Sequence, residues 1–157
     1  MDSKRKRIRL ANYDYSSCGL YFITVCTKDR KCILSRIVGQ DAYILPKVEL
    51  TDIGKTVEKH IKLIPGIDSY VIMPNHIHLI IIKSKSKDGK MWASCPTSIS
   101  SDIRSFKTVI TKKVGVSVFQ PRFFDHIIRN EQDYIAHLEY IDENPQKWVE
   151  GKDEYID

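Results

Sequence analysis

The chain has 157 residues, 42% of them hydrophobic, enough for one compact domain with a full core and too few for two comfortable ones. Its 25 Lys and Arg outweigh 20 Asp and Glu, and the resulting +5 favours an anionic partner. No apolar run approaches the ~20 residues a bilayer crossing needs, and Cys18, Cys26, Cys32 and Cys95 form no C-x-x-C pair and follow no signal peptide. A cytoplasmic protein with reduced thiols is therefore expected, with nucleic acid rather than a membrane as its anionic partner.

In chain order, a basic arm at residues 1–10 carries Lys4, Arg5, Lys6, Arg7 and Arg9. The polar, turn-like Asp14 to Gly19 feeds Leu20 to Thr27, whose β-branched and aromatic residues predict a strand. A second short apolar stretch runs from Cys32 to Val38. Thr51 or Asp52 can cap a helix with Ile53, Val57, Ile61 and Ile64 at helical spacing, which Pro65-Gly66 stops. Ile67 to Met73 and His76 to Lys83 read as two strands joined at Pro74-Asn75, or as one bent strand with a bulge there.

The polar segment near 84–98, with Trp92, reads as a mobile loop within the domain. Ser101 or Asp102 can cap a second helix bearing Ile103, Phe106, Ile110 and Val114 and ending near Gly115. Arg104, Lys107 and Lys112 lie on its polar side. A third helix is predicted from an Asn130 cap to about Glu143, where Pro145 limits continuation. The order β, β, α, β, β, α, α implies an α+β fold, a ferredoxin-like antiparallel sheet with helices packed on one face.

Two features carry chemistry. His76 and His78 are two apart on a strand, so they share one face while Ile77 and Leu79 take the other, and two adjacent imidazoles can chelate a divalent cation. On the last helix, Tyr134, Ile135, Leu138 and Ile141 form an apolar stripe at about 100° per residue. Tyr140 lies off that stripe, with Asp133, Ala136, His137 and Asn144, and Tyr140 and Asn144 are four apart. A tyrosine hydroxyl, with a reference pKa near 10, needs charge neutralisation at a phosphodiester before it can attack, and a metal supplies that. From spacing alone, however, an exposed tyrosine and a helix-ending asparagine are equally ordinary features.

The chain resembles the single-tyrosine HUH transposases, in particular the REP-associated tyrosine transposases and their insertion-sequence relatives. The resemblance covers residues 10 to 148 and rests on Tyr13-Asp14-Tyr15, Gly19 to Thr24, Val71 to Ile80 around Pro74-Asn75-His76-Ile77-His78, Ser105-Phe106-Lys107, Phe119 to Asn130, and Tyr140-Ile141-Asp142-Glu143-Asn144-Pro145. It implies that His76 and His78 are metal ligands, Tyr140 the nucleophile and Asn144 the third ligand, for which some relatives carry Gln. It also implies a ferredoxin-like fold and cleavage of single-stranded DNA beside a hairpin through a covalent 5′-phosphotyrosine, followed by rejoining.

The implied cofactor is Mg²⁺ or Mn²⁺, with Mn²⁺ better suited to two imidazoles. The implied partner is single-stranded DNA with hairpin structure. Both a monomer and a homodimer fit, the dimer with Tyr140 acting on the partner's histidines. Arg104, Lys107, Arg122, Arg129 and His126 suit phosphate contacts, which position DNA without reading its sequence. Tyr13, Tyr15, Phe123, Phe124 and Trp148 could stack unpaired bases. Tyr134 is the rival nucleophile, and His126 and His137 could assist proton transfer or touch phosphate. A hairpin-binding protein without catalysis, and a metal-dependent phosphodiesterase using water, are the competing readings.

Overall fold

The computed structural model describes residues 19–39, 44–83 and 99–156. The basic arm, Tyr13, Tyr15 and the segment 84–98 with Trp92 and Cys95 lie outside the described residues. Within them, β1 (Gly19–Cys26) leads to a short hairpin, β2 (Ser35–Val38) and β3 (Lys47–Leu50), and then to α1 (Asp52–Ile61). There follow β4 (Ile67–Ile72), β5 (His76–Lys83), α2 (Ile99–Val114), β6 (Phe124–Ile128) and α3 (Glu131–Val149).

Four strands form an antiparallel sheet in the order β4-β5-β1-β6. With the β2-β3 hairpin set aside, β1-α1-β4-β5-α2-β6 in that spatial order is the ferredoxin-like arrangement expected from the sequence. Alternation along β1 and β5 sorts the side chains cleanly. Tyr21, Ile23 and Val25 join Ile77, Leu79 and Ile81 on one face, where Val57 and Ile61 of α1 and Ile103, Phe106 and Ile110 of α2 close the main core. The other face presents Phe22 and Ile80 to Ile141, Leu138 and Trp148 of α3. The expectation that helices pack on one face thus holds for α1 and α2, while α3 covers the opposite face, the one that bears the histidines.

Local signals explain the boundaries. The Thr51 hydroxyl accepts the Gly54 amide at 3.0 Å and caps α1. Beyond it Gly66, at φ +80°, turns the chain where a side chain would meet the Ile82 carbonyl. Asn130 caps α3 through the Asp133 amide at 2.8 Å. Helix α2 starts at Ile99, earlier than Ser101 or Asp102, because Asp102 is not a cap: buried in the first turn, it ion-pairs with Lys83 of β5. Helix α3 continues through Pro145 to Val149, six residues past the predicted end near Glu143. Proline removes one N–H from the ladder and leaves the rest intact, so Asn144 sits inside a helix.

Strands β3 and β6 are not legible in the sequence. Both are short, and β6 is an edge strand paired to β1 alone, so Phe124-Asp125-His126-Ile127-Ile128 lacks the apolar continuity of a central strand.

Candidate active site

Strand β5 carries His76 and His78 into the sheet with 0% and 1% of their surface exposed, opposite Cys26 and Thr24 of β1. Their ring centroids are 4.7 Å apart. Burial holds both imidazoles neutral: His76 falls from 6.5 to about 4, and His78 well below its ordinary value, with the neighbouring His76 a further cause for the latter. Neutral imidazole is the form that binds a metal. The Cys26 thiol, pushed up to about 11 by burial, stays protonated beside them.

The hydrogen bonds assign the lone pairs. Asn75 donates its amide to the Tyr155 carbonyl at 2.8 Å, which turns its Oδ1 toward His76 Nδ1, also at 2.8 Å. His76 Nδ1 is therefore the protonated nitrogen, and Nε2 presents a lone pair to Asn144 Oδ1 at 3.3 Å. Asp153 Oδ2 lies 3.8 Å from the same Nε2 and has no hydrogen-bond partner among the described residues. His78 Nδ1 is 2.7 Å from the Thr24 hydroxyl, and its Nε2 is buried and unpartnered. His76 Nε2, Asn144 Oδ1 and Asp153 Oδ2 thus converge beside the bare His78 Nε2, and the one amide donor in the cluster, Asn144 Nδ2, is turned away from His76 toward the Asp153 side. Buried acceptors are stable in such an arrangement when a cation lies between them.

Helix α3 brings Tyr140 to the same place. Its ring meets His78 edge-on at 5.1 Å and Phe22 at 5.8 Å, and Lys147 Nζ sits 4.7 Å over its face. The hydroxyl donates to Glu154 Oε1 at 3.3 Å. Burial raises the phenol's pKa, and the Glu154 carboxylate raises it further. His76, His78, Tyr140 and Asn144 therefore lie in one cluster within one chain. Tyr134, the rival nucleophile, is elsewhere: it packs in the α3 core and donates its hydroxyl to Asp68 Oδ2 of β4 at 2.6 Å. Ile135, placed in the apolar stripe by periodicity, is exposed.

Asp153, Glu154 and Tyr155 were missed by sequence reasoning. Asp153 is buried, and its carboxyl is raised above its ordinary value, first by burial and also by Glu154, while the Tyr155 amide and the neighbouring Asn144 side chain pull the other way. Tyr155 lays its ring 4.4 Å from His76 and 5.7 Å from His78. An acidic, aromatic segment following a helix has no periodicity to interpret. Only the positive φ at Gly151, which ends α3 and turns the chain back, hints at its course.

The basic residues lie apart from this cluster. Arg104 and Lys107 of α2 are on the opposite side of the sheet, beside a groove of about 420 Å³ that Thr108, Thr111 and Lys112 also line. Lys107 Nζ donates to the Gln120 and Arg122 carbonyls at 2.7 and 3.2 Å, fixing the entry to β6. Arg122 and Arg129 are exposed at either end of β6. His126 is exposed and pairs with Asp133, with Nε2 to Oδ2 at 2.8 Å. Phe123 is buried, whereas Phe124 is exposed. No helix among the described residues is long and apolar enough to cross a membrane.

No family model matches the chain. It is 34% identical to an uncharacterised protein of Haemophilus influenzae over 94% of this chain and 92% of that protein. It is 36% identical to the REP-associated tyrosine transposase of Escherichia coli K12, over 53% of this chain and 47% of that one. A putative REP-associated tyrosine transposase of Haemophilus influenzae is 26% identical over 88% of this chain and 77% of its own. Among solved structures, a REP-associated tyrosine transposase bound to a REP hairpin superposes with a TM-score of 0.63 at 26% identity, covering 89% of this chain and 74% of that one. In named relatives, superposed fold and sequence motifs alike, the chain is similar to the REP-associated tyrosine transposases.

Proposed function

We propose that the protein cleaves and rejoins single-stranded DNA beside a hairpin, with Tyr140 as nucleophile and His76, His78, Asn144 and Asp153 as holders of a divalent cation. The observation that carries this reading is the convergence of the acceptors His76 Nε2, Asn144 Oδ1 and Asp153 Oδ2 in the cluster that also packs the Tyr140 ring against His78. Two imidazoles and two oxygens suit Mn²⁺ better than Mg²⁺. Bound there, the cation would serve as a Lewis acid that neutralises charge on the scissile phosphate.

The chain's own groups account for the rest of the chemistry. Tyr140 Oη attacks phosphorus and its proton passes to Glu154 Oε1, the acceptor it already faces. The phosphorus–O3′ bond breaks, the 3′ oxygen leaves and gains a proton, and the 5′ phosphate stays on the tyrosine. Attack by a 3′-hydroxyl reverses the step and reseals DNA without an external energy source. The hairpin partner is supported by the related transposase solved with a REP hairpin. Arg122 and Arg129, exposed at the two ends of β6, suit phosphate contacts.

A hairpin oligonucleotide with a single-stranded flank, incubated with Mn²⁺, is expected to yield a covalent protein–DNA adduct resolvable on a denaturing gel. The adduct should vanish in Tyr140→Phe and in His76→Ala/His78→Ala. Cleavage without adduct would instead make water the nucleophile, and hairpin binding without cleavage would leave a binding protein.

A further inference from the structure

A second cluster of metal-binding side chains lies outside the proposed active site. His126 on β6 pairs in register with Phe22 of β1, so its side chain projects onto the face that α3 covers. There it meets Asp133 and His137, which are four apart on α3 and therefore share one helix face. His126 Nε2 is 2.8 Å from Asp133 Oδ2, His137 Nδ1 is 2.8 Å from the Asp133 backbone carbonyl and 3.1 Å from its Oδ1, and one ligand atom from each residue lies within 4.8 Å of the other two. The imidazoles stack at 4.6 Å with their planes 20° apart.

Two imidazole nitrogens and a carboxylate oxygen on rigid elements form a ligand set that suits Zn²⁺, with solvent to fill the remaining positions. The carboxylate is already oriented. Its Oδ2 accepts the Arg129 amide at 3.2 Å, and its own backbone amide is held by the Asn130 cap at 2.8 Å. Such surrounding bonds fix a ligand before the metal arrives. The site is also distinct from the His76-His78 centre, because the Phe22 ring stands between them, 4.6 Å from His137 and 5.1 Å from His78.

The geometry points to a second divalent-cation site, of the Zn²⁺ class, formed by His126, Asp133 and His137. On binding, each imidazole would turn a lone pair toward the metal and carry its N–H on the other ring nitrogen, and the metal would take the place of the hydrogen bonds that now run to Asp133. Its position gives it a purpose. The ion would clamp edge strand β6 to the first turns of α3, and Tyr140 lies three residues beyond His137 on that helix. Occupancy would thereby fix the helix that carries the proposed nucleophile without touching DNA.

The test needs no catalytic activity. Full-length protein stripped with chelator is titrated with Zn²⁺ alone, and bound ions per chain are counted by equilibrium dialysis in wild type, His126→Gln, His137→Gln and Asp133→Asn. Each variant is expected to lose one bound Zn²⁺ and part of the rise in Tm that excess Zn²⁺ gives the wild type. The three replacements are partly exposed and near-isosteric, so a fold failure in one leaves two. In His76→Ala/His78→Ala that ion should remain. Zinc stoichiometry and affinity equal to wild type in any two folded variants would overturn the site, as would loss of all zinc in the His76/His78 variant alone. Because the readout separates the two centres, failure of one says nothing against the other.

Discussion

His76 Nε2 on β5 and Asn144 Oδ1 on α3, 68 residues later, face each other at 3.3 Å as two lone-pair donors. The Asn75 side-chain oxygen already accepts the His76 Nδ1–H. Apposition of two acceptors inside a protein is unfavourable unless a cation resolves it. Asn144→Ala is therefore expected to weaken Mn²⁺ binding at least about tenfold by calorimetry. Asp153→Asn should weaken it too, by removing the negative charge 3.8 Å from the same nitrogen. Unchanged affinity in Asn144→Ala would remove the amide from the metal shell.

A second expectation concerns Tyr140 and Glu154. The carboxylate at 3.3 Å helps raise the phenol's pKa, second only to burial. Replacing it in Glu154→Gln removes a negative charge that disfavours phenolate, so Tyr140 should titrate at lower pH, read by ultraviolet absorbance against a Tyr140→Phe blank. The same change removes the proton acceptor for attack. Adduct formation at pH 7 should then fall roughly 10- to 100-fold, toward the lower part of the range for lost general-base assistance. A downshifted phenol with an unchanged rate would assign proton removal to water.

What the sequence made legible follows from periodicity. A two-residue repeat put His76 and His78 on one face, and a 3.6-residue repeat turned Tyr140 away from Tyr134 and Leu138, and both orientations recur in the structure. Periodicity says nothing of which face of a sheet a helix will choose. The side of the sheet that α3 covers was therefore unreadable, as was the pairing of Lys83 with Asp102. Pro145 misled because the lost hydrogen bond and the crowding of the preceding turn are outweighed here by the packing of Ile141 and Trp148 against the sheet. Asp153 and Glu154 belong to an irregular segment, and their roles exist only through its return onto His76 and Tyr140.

Acid should destabilise the metal-free protein through His76. Its folded-state pKa of about 4 lies below the ordinary 6.5, so between those values the unfolded chain binds more protons than the folded one. Stability contributed by this group is complete above about pH 6.5 and is lost as pH falls toward 4. Urea denaturation in chelator should show wild type losing roughly 2 kcal/mol more than His76→Gln between pH 7 and pH 5. His78, lowered by burial as well, acts in the same direction. Equal pH slopes in the two proteins would mean that the imidazole is solvated in solution.

Two glycines should respond unequally to a methyl group. Gly54, in the first turn of α1, would place a Cβ 1.9 Å from the Leu34 carbonyl oxygen. That oxygen cannot move freely, since it accepts both the Thr51 amide at 3.1 Å and the Thr51 hydroxyl at 3.0 Å. Gly54→Ala must therefore push α1 off the strand connection and break its own cap, at an expected cost of about 3 kcal/mol in chemical denaturation, the upper end for overpacking. At Gly115, which ends α2 at φ +89°, an added methyl group would meet nothing within 4 Å, so Gly115→Ala should cost only the left-handed backbone strain of about 1 kcal/mol. Helix propensity alone reverses this order, because an alanine inside a helix should stabilise it and one past its end should not. Comparable losses at the two positions would show that α1 does not pack against the Leu34 backbone closely enough to exclude a methyl group.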